Sequence, residues 1–210
     1  MGFGIALIGY LCMMLVGTGG EIFAALLLGY GFFLASRLNP NFLRASVSVL
    51  FMLPRGIVNA LSVIGLFDIN NLNLLNVITF LLFLTAWLFM SYFWLIAVAQ
   101  IAKENGVTKL ENQARFRLVF TVSFIMLVMG SRILAFSGAL TGATAMLGAV
   151  EFLLQYAVIF INILFLHTCF ILITSEKQYE KDRQQIAKDR AKALEKKQRE
   201  ADELNEIRKK

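Results

Sequence analysis

Histidine, cysteine and proline are almost missing from this chain of 210 residues, which has one, two and two of them respectively. The solitary His167 has no second imidazole with which to share a metal, and it reads as a packing side chain. Cys12 and Cys169 fall in opposite halves of the bilayer in the topology below, so no disulfide is expected. Buried thiols acting as small hydrophobes are the simpler reading. Catalytic signatures are missing as well. There is no HExxH pair, no glycine-rich phosphate loop ending in Lys-Ser/Thr, and no Ser-His-Asp or Cys-His set at a shared depth. Gly17-Thr18-Gly19-Gly20-Glu21 shares only its glycines with a nucleotide loop. No catalytic residue, cofactor or metal is therefore expected, and an intramembrane enzyme built on Glu21 or Glu151 is the least supported class.

Charge is scarce and unevenly placed. Only 16% of residues are charged, against about a quarter in a soluble domain. Residues 1–174 hold eight basic side chains (Arg37, Arg44, Arg55, Lys103, Lys109, Arg115, Arg117, Arg132) and five acidic ones (Glu21, Asp68, Glu104, Glu111, Glu151). Residues 175–210 hold the other twelve basic and nine acidic groups of the 20 and 14 in all. The pI near 9.5 is then explained by basic loops on a membrane protein rather than by nucleic-acid binding.

What the chain has in abundance is apolar sequence: 58% hydrophobic residues and a mean hydropathy of +0.69. A crossing helix needs roughly 20 apolar residues. Leu74–Ile101, Leu118–Phe136 and Leu147–Ile173 meet that directly. Phe3–Ala35 is apolar throughout, but 33 residues of helix would reach about 50 Å. Its Gly17-Thr18-Gly19-Gly20 run predicts a tight turn between two short helices. The stretch lacks a basic n-region and runs into more membrane-like sequence, so no cleavable signal peptide is expected.

Ala45–Phe67 is the ambiguous span, because Pro54 and Arg55 sit at its centre. Charge parity decides for a crossing. Arg37–Arg44, Lys103–Arg117 and the tail carry the positive charge, whereas Gly17–Gly20, Asp68–Asn73 and Ser137–Met146 contain no Lys or Arg. Only six crossings put every basic segment on one side. The expected fold is all-α: a polytopic membrane bundle of six transmembrane helices in the cytoplasmic membrane, N-in and C-in. It comprises a transmembrane domain, 1–174, and a charged helical cytoplasmic tail, 175–210. Small residues in 137–150, with Gly138 and Gly142 four apart, suggest close packing or a re-entrant segment.

Charges at membrane depth are costly unless paired or hydrated. Arg44, Ser48, Arg55, Asn59 and Ser62 stay within about 60° of one another on a helical wheel, so they predict a polar face, interrupted by Phe51. Val49, Leu53, Ile57 and Ile64 lie opposite. Pro54 adds a kink. On the last span Glu151, Gln155 and Asn162 share a face, as do Thr121 and Arg132 on the one before. Arg132 and Glu151 flank one connection at similar depth and are expected to pair, which leaves Glu21 to meet Arg55. The candidate substrate or pathway residues are thus Arg55, Asn59, Ser62, Ser48, Glu21, Arg132, Glu151, Gln155 and Asn162. The aromatic span (Phe80, Phe83, Trp87, Phe89, Tyr92, Phe93, Trp94) reads as a wall facing lipid or a partner.

The tail lacks glycine and proline and is rich in helix formers. Its apolar positions (Tyr179, Ile186, Leu194, Leu204, Ile207) make only a ragged seam, short of a sustained heptad. A solvated helix is expected there; the alternatives are a coiled-coil contact with a partner, or binding of the basic residues to anionic lipid or RNA, and near-balanced charge argues against strong RNA binding. The functional expectation is a non-catalytic subunit or scaffold of a larger membrane complex, with the tail, 176–210, contacting a protein partner. The alternatives are a small-solute transporter or substrate-binding component using the Arg55 face, and a membrane-protein insertion factor. The bilayer itself is the first partner, and oligomerisation stays open.

Overall fold

The computed structural model describes residues 2–66, 73–137 and 148–173, and every regular element among them is helical. The chain divides into two units, 1–169 and 170–210. Of the second, only Phe170–Ile173, the end of the last helix, is described. The expected re-entrant segment with its Gly138–Gly142 spacing, most of the Asp68–Asn73 connection and the helical tail lie outside the described residues.

Helix α1 (Gly2–Cys12) runs through a single 3-10 turn, Met13–Leu15, and reverses into α2 (Gly20–Ala35). The reversal uses the expected glycines: Gly17 and Gly19 adopt φ of +93° and +88°, which any side chain would resist. The two helices touch backbone to backbone. A Cβ on Gly31 would stand 2.6 Å from the Ala6 nitrogen, so small residues are what let this hairpin close.

The difficult span is Asn41–Val63, 23 residues and apolar enough to cross. It is two helices, α3 (Asn41–Leu50) and α4 (Leu53–Val63). Pro54 has no N–H to offer the Leu50 carbonyl, and its ring excludes a regular turn before it. The backbone responds by tightening ahead of the proline. Phe51 N bonds to Ser48 O at 3.2 Å and Met52 N to Val49 O at 2.9 Å. The kink expected at Pro54 is therefore a break at Phe51–Met52.

Helix α5 (Asn73–Glu104) is joined to α6 (Thr108–Phe136) by three residues, with Gly106 at φ +71°. The basic segment read as a loop from Lys103 to Arg117 is thus mostly helix. Glu111 and Arg115, one turn apart, form an ion pair at 2.9 Å, and such pairs favour helix where no bilayer is needed. Apolarity marked the depth of the bilayer, not the length of the helix. The last helix, α7, is Gly148–Ile173.

Among the described residues, four helices, counting α3–α4 as one, are long and apolar enough to cross a membrane, whereas Gly2–Leu15 and Gly20–Ala35 are shorter. Only 22–44% of the apolar windows in the four long ones is buried inside the bundle. Ile8, Phe23, Phe33, Val47, Phe116 and Leu153 are among many large side chains facing outward. So much outward apolar surface on helices of this length fits a membrane protein.

Trp94 sits at the centre of the core. It stacks on Phe32 of α2, meets Tyr10 of α1 edge-on and tilts against Phe165 of α7, with centroids 6.2, 6.0 and 5.8 Å away. Its indole N–H donates to the Tyr10 hydroxyl at 3.1 Å. Phe83 and Trp87 are also fully buried, whereas Phe89 and Tyr92 point outward. The aromatic wall is thus corrected in part: Phe83, Trp87 and Trp94 lie in the core of the bundle, and only part of the wall faces outward. Large rings fill the wide gap that a central helix must share with several neighbours. His167 is the reverse case, exposed on α7 where packing was expected.

Candidate functional site

Helix α4 carries Arg55 and Asn59 one turn apart, and the two side chains reach different neighbours. The close seat of α4 on α2 depends on Gly56, where a Cβ would stand 2.8 Å from Ile22 N and 3.2 Å from the Glu21 carbonyl carbon. From that seat Asn59 donates its amide to Glu21 Oε1 at 2.5 Å. The Gly17 N–H donates to the same oxygen at 2.8 Å. Glu21 is fully buried, and its other oxygen has no hydrogen-bond partner among the described residues.

Arg55 turns the other way, toward α5. Its Nη1 donates to the Asn76 side-chain oxygen at 2.5 Å, to the Asn76 carbonyl at 3.2 Å and to Thr79 Oγ1 at 3.3 Å. Thr79 can accept because its own proton goes to the Leu75 carbonyl, 2.8 Å away. The expected Glu21–Arg55 contact is therefore not formed. The glutamate is held by an amide and a turn N–H, and among the described residues the hydrogen bonds of the arginine go to neutral acceptors. Arg55 Nε is buried with no partner among the described residues.

Arg132 approaches from α6. It pairs with Glu151 of α7 at 2.8 Å, the contact anticipated from their depths. Ser131 donates to the second oxygen of the same carboxylate. The Arg132 guanidinium carbon also lies 5.3 Å from the centroid of Phe80, and that of Arg55 lies 5.4 Å from the same ring. Both arginines thus bracket one aromatic side chain. They open on a cavity of about 510 Å³. Its polar wall is Arg55, Asn76 and Arg132, with Phe80 between, and its apolar wall is Val77, Leu81, Ala135 and Phe136.

The remaining candidates are dispersed. Ser48 donates to the Arg44 carbonyl one turn back, a local bond with no reach into the cavity. Arg44 is exposed, bonded to Asn41 and lying 5.9 Å from the Phe93 ring. Ser62 and Gln155 are half-buried outside the cavity wall. Asn162 is fully buried and donates to Thr121 at 3.4 Å, while its carbonyl oxygen has no partner among the described residues. The predicted polar face of the third span is thus divided by the break at Phe51–Met52, and only Arg55 enters the groove.

Asn76 and Thr79 were missed in the sequence. They lie in the first two turns of α5, and an amide and a hydroxyl three residues apart in an apolar helix were the available signal. Cys12 and Cys169 are free thiols, and no set of three His, Cys, Asp or Glu converges as metal ligands among the described residues. No protein-family model, no curated protein and no solved structure matches this chain.

Proposed function

We propose that this chain is a non-catalytic membrane component that binds an amphiphilic anion in the groove between Arg55 and Arg132. The observation carrying this reading is that two guanidinium groups bracket one ring at membrane depth, and the hydrogen bonds of Arg55 to the described residues all go to neutral groups. An arginine at membrane depth that hydrogen-bonds only to neutral groups is costly, and an anion bound beside it, within reach of the Glu151-paired Arg132, lowers that cost. The cavity volume lies within the range of small-molecule sites. Its division into a polar wall and an apolar wall suits a ligand with a charged head and a hydrocarbon body.

The accompanying topology is six crossings with both termini cytoplasmic. Its support is the alternation of basic and Lys/Arg-free connections, together with a short apolar hairpin ahead of four longer apolar stretches. This places the groove in the outer half of the bilayer and the charged tail, 176–210, where a cytoplasmic partner can reach it.

The test is calorimetric titration of the protein in lipid nanodiscs with dodecyl phosphate, using dodecyl maltoside as the uncharged control. Saturable binding of the phosphate, weakened tenfold or more by Arg55→Leu in a bundle that stays folded, supports the proposal. Equal binding of both amphiphiles, or a folded Arg55→Leu protein with unchanged affinity, removes it.

A further inference from the structure

A second cavity of about 530 Å³ opens on the other half of α6, lined by Asn112, Gln113, Phe116, Arg117, Phe120 and Ile161. Arg117 stands fifteen residues before Arg132 on one helix, a separation of about 22 Å along the axis. The two cavities therefore belong to opposite halves of the bundle. Arg117 is held from behind. Its Nη1 donates to the Ile161 carbonyl on α7, and its guanidinium carbon lies 4.7 Å from the centroid of the buried Phe165.

A guanidinium has five N–H groups in a fixed fork, so this anchoring leaves donors directed toward the cavity. The side-chain amides of Asn112 and Gln113 have no hydrogen-bond partner among the described residues. Among the described residues no acidic side chain lines the cavity. Glu111, the nearest acid along the helix, is already engaged by Arg115. The polar wall is therefore rich in donors and carries an uncompensated positive charge.

The order of these groups along α6 matches a lipid lying in one leaflet. Lys109, Asn112 and Gln113 come first, nearest the turn at Asn105–Val107; Arg117 follows; Phe120 lies deepest. Phe116 and Phe120 stack with centroids 6.5 Å apart and rings inclined by 7°, and both are exposed, Phe116 to 74%. They offer a flat apolar edge beside the donors. We infer that this cavity binds the phosphoryl headgroup of an anionic phospholipid from the leaflet on the Lys109 side. The first acyl carbons lie along Phe116 and Phe120. Charge complementarity selects this occupant: basic pockets between membrane helices take anionic headgroups, and an uncharged lipid would leave Arg117 uncompensated. The inference stands without the Arg55 groove.

Native mass spectrometry of the full chain released from nanodiscs tests it, with Arg55→Leu as the starting protein so that the first groove does not contribute. Phosphatidylglycerol and phosphatidylcholine of identical chains are compared, with inorganic phosphate as a soluble competitor. The expected result is one retained phosphatidylglycerol per chain, unmatched by phosphatidylcholine. Arg117→Gln should weaken it about tenfold, the scale of a charge-assisted hydrogen bond. Millimolar phosphate should fail to displace it. Should Arg117→Gln fold poorly, the double variant Asn112→Leu/Gln113→Leu, whose side chains support nothing in the fold, should weaken retention several-fold. Equal retention of the two lipids, unchanged retention in both variants, or full displacement by phosphate overturns the inference, the last by showing a soluble anion site instead.

Discussion

Replacing Arg132 by leucine separates the structural role of the Arg132–Glu151 pair from its proposed role at the groove. The pair spans 2.8 Å, with the glutamate 9% and the arginine 46% exposed. Breaking a fully buried pair from one side costs about 3–5 kcal/mol, whereas exposed pairs are worth about 0–1 kcal/mol. Here one partner is buried and the other half open, and Ser131 continues to hold the carboxylate. The expected loss is therefore about 2 kcal/mol, read by equilibrium unfolding of the bundle in mixed detergent and SDS micelles. The stranded Glu151 causes most of that loss, so Arg132→Leu/Glu151→Leu should recover more than half of it. The double variant nevertheless lacks one of the two groove cations and should bind dodecyl phosphate about tenfold less tightly than the parent. Two results would refute the reasoning. One is a coupling below about 0.3 kcal/mol, the limit at which distant sites add independently. The other is full anion affinity in the stable double variant.

Gly56→Leu should separate α4 from α2 and destabilise the bundle by about 1–3 kcal/mol, because its Cβ meets the Ile22 backbone; the same unfolding assay reads it, and a neutral outcome would contradict the close seat. Trp94→Phe should cost about 1–3 kcal/mol by leaving the Tyr10 hydroxyl without its indole donor, whereas Phe89→Leu, on the outward side of the same helix, should stay within about 0.5 kcal/mol. Both tryptophans are buried, so neither acrylamide nor brominated lipid should strongly quench their emission; strong quenching by the lipid would return the aromatic face to the bilayer. Single cysteines placed at Asn70 and Ala143 should react with an impermeant maleimide in intact cells, and one at Asn105 only after lysis; the reverse pattern would invert the proposed orientation.

Much of the bundle was legible because hydropathy and glycine report directly on the bilayer and on chain reversal. The hairpin turn at Gly17–Gly20 and the long helices followed from those two signals, and the Arg132–Glu151 contact followed from depth alone. Three features were less accessible. Helix α6 begins ten residues before its apolar stretch, since Glu111–Arg115 pairing favours helix without needing a membrane. The break at Phe51–Met52 precedes its cause at Pro54, because the missing donor acts four residues back. The groove depends on which neighbour each polar side chain of α4 meets. Angular position put Arg55 and Asn59 on one face, yet they diverge to α5 and α2, and only the packing of three helices decides that. Asn76 and Thr79 are inconspicuous in the sequence for the same reason: their value comes from Arg55 opposite.

The shortness of the α1–α2 hairpin has a consequence for the lipid around it. Its arms, Gly2–Leu15 and Gly20–Ala35, reach about 21 and 24 Å as helix, whereas the hydrocarbon slab is about 30 Å thick. In the six-crossing arrangement proposed above, the missing 6 Å or more has to be made up by a dimple in the bilayer, drawn in toward the Gly17–Gly20 turn. Glu21 hangs from that turn, and Asn59 ties it to the helix that carries Arg55. In that arrangement the local thinning would bring water and headgroups closer to the arginine groove, and the hairpin would act as a shallow funnel for charged molecules.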